Sequence, residues 1–237
     1  VGYHSGLSVT TGIDNVIIGG LAGDALTVGE NNTVVGRSAL GACVDGDNNV
    51  AVGRNALLVY EGGDGEGGNV GVGRDAGKAL STGQLNTILG HLAGDAITTG
   101  SGNTIIGRSA AASAVDVSNE ITLGDSNITA LRCQVTSISS LSDKRDKKDI
   151  KDSTYGLDFV DSLKPVTFEW DQRDGNRSGV KDVGFIAQDL QKVDDEYTRL
   201  VYESNPEKLE ATYGRLIPIM AKAIQELSAE VKELKKQ

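Results

Sequence analysis

The sequence predicts a mainly β repeat shaft, a trimeric β-roll or β-helix, followed by an α+β domain that ends in a coiled-coil helix. Three observations predict it. Glycines recur at a fixed interval through the first 141 residues, the composition changes abruptly at Ser142, and apolar residues fall on a heptad at the end. The chain has 237 residues, 31 of them glycine and 3 proline. That excess of glycine argues against one conventional core. Residues 1–141 contain no Trp, Phe or Pro, whereas the single Trp and every Phe and Pro lie beyond Ser142. The predicted divisions are a shaft at 1–124, a cap and lead-in at 125–141, and a terminal domain at 142–237.

The shaft is read from its period. Gly2, Gly19, Gly36, Gly53, Gly73, Gly90, Gly107 and Gly124 are seventeen residues apart, except for one step of twenty. An asparagine stands four residues before six of these glycines: Asn15, Asn32, Asn49, Asn69, Asn86 and Asn103. Alanine follows three residues after most of them, from Ala22 to Ala110. Such regularity marks a solenoid, whose single turns bury too little to stand alone and must stack. Each unit offers a short β-branched strand, a glycine corner, an alanine where the winding is tight, and a second weak strand such as Ala25–Leu26–Thr27–Val28. At about 4.8 Å per turn the stack would run for roughly 34 Å. The odd step contains a glycine-rich insertion at 61–68, expected at a loop tip.

Several motifs in the shaft resemble sites without being ones. Gly63–Gly68 fits GxGxxG, but it lacks a nearby lysine and carries two acids that would repel phosphate. Asp45–Asn49 hints at calcium, yet the rest of such a loop is missing, and a repeat corner accounts for it better. Arg37, Arg54, Arg74 and Arg108 follow repeat glycines and should form a ladder down one edge. A solvated or intersubunit ladder is the favoured reading, with an anionic host glycan as the other. Beyond Ala114 the period is expected to loosen, because Asn119 and Gly124 are five residues apart. Residues 126–141 then alternate through Ile128, Ala130 and Val135 like a strand.

The charged region opens on Ser142–Asp143–Lys144–Arg145–Asp146–Lys147. A serine and a lysine five apart are common, and a charged run is by itself a solvated linker as readily as a site. After it, Tyr155–Leu163 has apolar residues at helical spacing, 166–170 alternates as a strand, and a polar turn holds Asp174 and Gly175. Residues 183–193 begin extended and enter a helix. Phe168, Trp170 and Gln188 are read as core and its polar edge rather than a ligand box. Tyr213, Ile217, Met220, Ile224, Leu227, Val231 and Leu234 make a heptad seam over about 213–236, with Pro218 tolerable near the helix start. The residues at its core positions would by themselves favour two strands.

The Ser–Asp opening with a lysine five residues after the serine, the Leu–Lys–Pro–Val–x–Phe–x–Trp stretch at 163–170, the Gly–Phe–Ile–Ala–Gln–Asp–Leu stretch at 184–190 and the terminal helix occur together and in order. In this the region resembles the intramolecular chaperone auto-processing domains that end many bacteriophage tail fibres and tailspikes, including the endosialidase tailspikes. The resemblance implies that Ser142 cuts the Leu141–Ser142 bond with Lys147 as its base, once per chain and on no external substrate. It also implies a homotrimer, so three strands are expected in spite of the heptad's local preference. A seryl hydroxyl needs a base, and an amine serves as one only when neutral, which burial favours and a nearby carboxylate opposes. Asp143 and Asp146 are therefore candidate modulators, and Asp146 departs from the apolar residue usual in that family. The shaft more loosely resembles the β-roll heads of trimeric autotransporter adhesins.

Composition narrows the alternatives. The formal charge is -10, and basic and acidic residues number 6 and 13 before Ser142 and 17 and 20 from it onward. Neither part is a basic platform, so no nucleic-acid partner is expected. Cys43 and Cys133 are far apart, with only His4 and His91 to accompany them, and no metal or other cofactor is expected. No apolar run is long enough to insert into a membrane. The leading expectation is the C-terminal part of a phage tail fibre in the virion, serving host attachment. Its terminal domain would guide folding and then be released in the host cytoplasm. The alternative is a structural fibre or trimeric adhesin whose terminal domain trimerises but never cuts. A glycan-cleaving shaft would need paired carboxylates in a cleft, which no repeat supplies.

Overall fold

A computed structural model describes residues 1–62, 67–134, 138–173 and 178–236. The tip of the expected insertion, Val135 of the lead-in and the Asp174–Gly175 turn lie outside the described residues. The chain divides into two compact units, Val1–Ile128 and a second from Thr129 onward.

The first unit is the predicted β-solenoid. Seven three-residue strands, β1 (Val16–Ile18), β2 (Thr33–Val35), β3 (Val50–Val52), β4 (Val70–Val72), β5 (Thr87–Leu89), β6 (Thr104–Ile106) and β7 (Ile121–Leu123), pair in parallel in chain order. Each residue pairs with its equivalent one repeat on, so Val34 faces Ala51 and Ala51 faces Gly71 across the twenty-residue step. The register is kept across that longer step. The middle residue of each strand points inward, and the repeat alanines Ala22, Ala39, Ala56, Ala76, Ala93 and Ala110 are fully buried beside Leu26, Leu40, Leu57 and Leu80. At the corners the chain passes close over itself. A Cβ on Gly73, whose φ is +136°, would lie 2.3 Å from the carbonyl oxygen of Gly90 in the next turn, so no other residue fits.

The repeat asparagines stack inside the wall. The Asn32 Oδ1 accepts from the backbone N–H of Asn49 at 2.9 Å and from its Nδ2 at 3.1 Å, and Asn32 Nδ2 donates to the Gly46 carbonyl at 2.8 Å. The pattern continues through Asn69, Asn86 and Asn103, all buried. Every ladder member thus satisfies backbone groups that stacking alone would leave unpaired inside the protein.

Three expectations are corrected. The period does not loosen after Ala114. Glu120, seventeen residues after Asn103, takes the ladder place and donates its N–H to Asn103 Oδ1 at 2.9 Å. Asn119 is instead the left-handed residue before it, with φ +61°, as Asn31 and Asn48 are before Asn32 and Asn49. The Glu120 carboxylate accepts from Ser113 N and Oγ and from Thr122 Oγ1, ending the ladder on local partners. Nor is Ala25–Val28 a strand. Leu26 is buried there and Thr27 alone links neighbouring turns, its carbonyl accepting from Thr10 N and Gly12 N and its N–H donating to Val44 O, and no strand forms. Among the described residues of 126–141 no strand forms either.

The second unit is a small α+β region. It contains α1 (Leu157–Ser162), an antiparallel hairpin of β8 (Val166–Asp171) and β9 (Ser178–Gly184), α2 (Ala187–Leu190), a short antiparallel pair β10 (Val201–Tyr202) and β11 (Glu210–Ala211), and α3 (Leu216–Leu234). Its core is Leu190, Leu200, Val201, Leu216 and Ile219, with Phe159, Phe185 and others packed against it. The Glu226 carboxylate of α3 accepts from the Leu157 N–H at 2.7 Å and so caps α1. Phe168 and Trp170 are half-buried on one face of the hairpin, edge to face at 5.1 Å, with the Trp170 indole donating to Asp182 at 3.1 Å. They pack on each other over the two-stranded hairpin instead of joining the core, and Gln188 of the α2 segment Ala187–Leu190 is exposed. Among the described residues no helix is long and apolar enough to cross a membrane.

The terminal helix shows two apolar faces. Leu216, Ile219 and Ala223 are buried in the domain, whereas Ile217, Met220, Ile224, Leu227, Val231 and Leu234 of the heptad seam are exposed. Tyr213 lies in a 3-10 turn ahead of the helix. Its hydroxyl accepts from Phe185 N at 3.2 Å, so the first seam position is used by the domain's own fold.

Candidate self-processing site

Ser142 and Lys147 are brought together. The Lys147 Nζ donates to Ser142 Oγ at 2.6 Å and to the Ser142 carbonyl at 3.2 Å. One 3-10 turn, Lys144–Asp146, makes this possible. Asp143 precedes it in extended conformation, Lys147 leaves it extended, and i→i+3 bonds from Asp146 N to Asp143 O and from Lys147 N to Lys144 O, both 3.2 Å, close it. The turn shortens the path so that Lys147, five residues on, points back at Ser142. Lys144 and Lys148 make no hydrogen bond to Ser142.

The charges around the pair are arranged locally. Asp143 accepts from the Arg145 backbone N–H at 2.8 Å, and the Arg145 guanidinium forks onto the same carboxylate, with Nη2 at 2.6 Å and Nε at 3.1 Å from both oxygens. The guanidinium first, and then that N–H, hold the Asp143 carboxyl below the usual carboxylate range, and Arg145 is raised in turn. Asp146 forms no ion pair with Lys147, so the family departure at this position leaves the amine without a carboxylate partner. Ser142, Lys147 and Leu141 are all exposed in the single chain, Leu141 by 86%.

Other groups of interest have structural tasks. Asp194 is half-buried; burial alone would raise its carboxyl, but the Thr198 hydroxyl and the N–H groups of Leu200, Val201 and Asp195 outweigh it and lower it. The neighbouring Asp195 accepts from Tyr155 Oη at 2.5 Å, and this bond pushes Tyr155 up to about 12. A groove of about 1050 Å³ lies beside them, lined by Lys151, Tyr155, Tyr197, Tyr213 and Arg215 among others. In the shaft, burial pushes the Cys43 thiol up to about 12, which keeps it protonated and inert. On the arginine edge, Arg74 pairs with Asp75 at 2.8 Å and Arg108 with Asp125 at 3.4 Å. Among the described residues no group of three or more His, Cys, Asp or Glu is placed to hold a metal.

Sequence reasoning named Ser142, Lys147, Asp143 and Asp146 but missed Arg145. Its signal was present: a residue two after an aspartate, able to donate both backbone and side chain to it.

A β-solenoid followed by a small second unit that carries a paired serine and lysine defines a repeat shaft with a distinct terminal module. Residues 142–201 of that module match the family described as chaperone of endosialidase, a peptidase family. The match begins at the serine of the pair. No curated protein and no solved structure matches the chain.

Proposed function

We propose that the chain is the C-terminal part of a trimeric phage tail fibre or tailspike, in which the module from Ser142 onward guides trimerisation and folding of the β-shaft and then severs itself. The observation that carries the reading is the 2.6 Å approach of Lys147 Nζ to Ser142 Oγ, at the first residue of the chaperone-family match. Once neutral, Lys147 takes the Ser142 Oγ proton as the oxygen attacks the Leu141 carbonyl carbon through a five-membered ring, which removes most of the entropic cost of encounter. The carbon–nitrogen bond then breaks, the proton passes to the Ser142 nitrogen, and a Leu141 ester on Ser142 remains. Water hydrolyses it to a Leu141 carboxylate and a free Ser142 amine and hydroxyl.

The exposure of the pair fits a resting state. A lysine amine in water holds its proton, and covering it favours the neutral form. Three chains gathered along the exposed seam of α3 would bring the sites together and cover them, so that cutting follows assembly. The gathering also raises the effective concentration of shaft segments whose non-local winding is slow. The shaft stays in the virion and the module is left in the host cytoplasm. The arginine edge is read as a solvated ladder, with Asp75 and Asp125 holding two of its guanidinium groups.

The test is a denaturing gel of freshly expressed protein. The wild type should give fragments of 141 and 96 residues, and Ser142→Ala or Lys147→Ala one band of 237 residues, still trimeric by sedimentation. A single band from the wild type would leave the non-cleaving fibre as the reading. Two bands from Ser142→Ala would remove Ser142 from the chemistry.

A further inference from the structure

Nothing outside the opening segment holds Lys147 against Ser142. Both residues are exposed, and among the described residues Ser142 is the only hydrogen-bond partner of the Lys147 amine. A four-carbon side chain on a surface loses rotamer freedom when it is fixed, so its aim must come from the backbone beneath it. That backbone is one 3-10 turn, a conformation with poor hydrogen-bond geometry and little stability of its own.

We propose that Asp143 is a positioning residue for the Ser142–Lys147 pair: capped onto the Arg145 N–H and forked by the Arg145 guanidinium, it fixes the turn that folds Lys147 back onto Ser142. The proposal rests on the reading of that pair as a self-cleaving dyad. Asp143 Oδ1 at 2.8 Å from Arg145 N is an N-cap, which satisfies a donor that the turn itself leaves open. The three side-chain contacts from Arg145, at 2.6 and 3.1 Å, hold the carboxylate in that rotamer. They have a second consequence. Asp143 is the residue after the nucleophile, and its carboxylate, left unpaired, would compete with Ser142 for the Lys147 ammonium. Arg145 occupies it instead. The remaining charged groups of the segment, Lys144, Asp146, Lys148 and Asp149, form no ion pair with Lys147.

Cap and charge separate by substitution. Asparagine caps as well as aspartate but carries no charge, whereas alanine does neither. Cleavage of the full chain is followed at pH 6 to 9 for wild type, Asp143→Ala, Asp143→Asn, Arg145→Ala and the double variant Asp143→Asn/Arg145→Ala, with trimer content measured alongside. Asp143→Ala should cut at least tenfold more slowly at every pH. Asp143→Asn should stay within about threefold of wild type. Arg145→Ala should be slow at neutral pH and recover as pH rises, because the freed carboxylate then holds the amine protonated; the double variant, lacking that carboxylate, should not show the shift.

Cleavage of Asp143→Ala at the wild-type rate would overturn the proposal, as would an Asp143→Asn variant as slow as alanine. Ser142→Ala and Lys147→Ala are run beside them. Cutting in those controls would defeat the dyad itself and is read separately. If the wild type stays uncut, a nuclear Overhauser effect between the Ser142 β-protons and the Lys147 ε-protons reads the turn without chemistry. It should be present in wild type and Asp143→Asn and absent in Asp143→Ala; its persistence in Asp143→Ala would equally sink the inference.

Discussion

The shaft and the terminal domain hold themselves together in opposite ways. In the shaft the core contacts recur from turn to turn: strand over strand, alanine over alanine, and a buried asparagine bonded to the asparagine of the turn before. In the terminal domain each contact occurs once, between unlike residues, as when Glu226 caps Leu157 sixty-nine positions away or Tyr213 accepts from Phe185. A stack of identical turns has no unique place to begin and can slip by one turn at small cost, whereas a core of singular contacts has one arrangement. Under the proposed chaperone role, the terminal domain supplies the shaft's defined start.

The largest effect should come from removing that start. Deleting residues 220–237 takes away most of the exposed seam and part of the helix that packs on the domain core. Soluble trimers should be lost, read by sedimentation and protease resistance. A soluble, trimeric, resistant shaft from this truncation would show that the copies find register unaided.

Next is a break in the copying itself. Asn86→Ala deletes the Oδ1 that accepts from Asn103 N and Nδ2 and the Nδ2 that donates to Asn69 Oδ1 and Gly100 O. Asn69 Oδ1 keeps the Asn86 N–H and Asn103 Nδ2 keeps Val117 O, so the buried Asn103 N–H and the Gly100 carbonyl are the groups left without a partner. A loss of about 2–5 kcal/mol in shaft stability is expected, from two unsatisfied groups at about 1–3 kcal/mol each, read by denaturant unfolding. Leu190→Ala in the other core should cost about 2–5 kcal/mol and leave the shaft transition where it was.

Acid should separate the two regions more gently. The carboxyls of Asp194, Asp195, Asp189 and Glu226 in the terminal domain are all lowered by their partners. A carboxylate held below its unfolded value contributes stability above that value, near pH 4, and loses it as pH falls through the folded one. Asp75 and Asp125 behave likewise in the shaft, but its asparagine ladder does not titrate. Thermal unfolding between pH 6 and 3 should therefore lower the terminal-domain transition more than that of the shaft, and Asp194→Asn should reduce the difference. Equal falls in both would mean that the ladder is not what holds the turns.

The smallest effect is expected at Asp146. Without an ion pair to Lys147, Asp146→Leu should leave the cleavage rate within about twofold of wild type from pH 7 to 9, on a time course of the two bands. Faster cutting confined to neutral pH would mean that the carboxylate reaches the amine in the assembled trimer.

The sequence by itself determined the shaft almost completely. Parallel, in-register stacking sets each residue over its equivalent, so the spacing of Gly2 to Gly124 is the register, and the step of twenty falls where the pairing of Val50 with Val70 requires it. It also determined the five-residue spacing of the pair, whereas the compact units divide after Ile128. Only the tertiary structure decided what depends on contacts between unlike residues. Glu120 rather than Asn119 ends the ladder, because position in the stack outranks residue type. Leu216, Ile219 and Ala223 face the domain and leave the heptad seam outward, because the core of the second unit claims one side of the helix. Arg145, not Lys147, takes the Asp143 carboxylate, because the turn that returns Lys147 to Ser142 also sets the guanidinium over it. A period is written along the chain; which of two neighbouring charges reaches a third is decided by where the folded backbone points them.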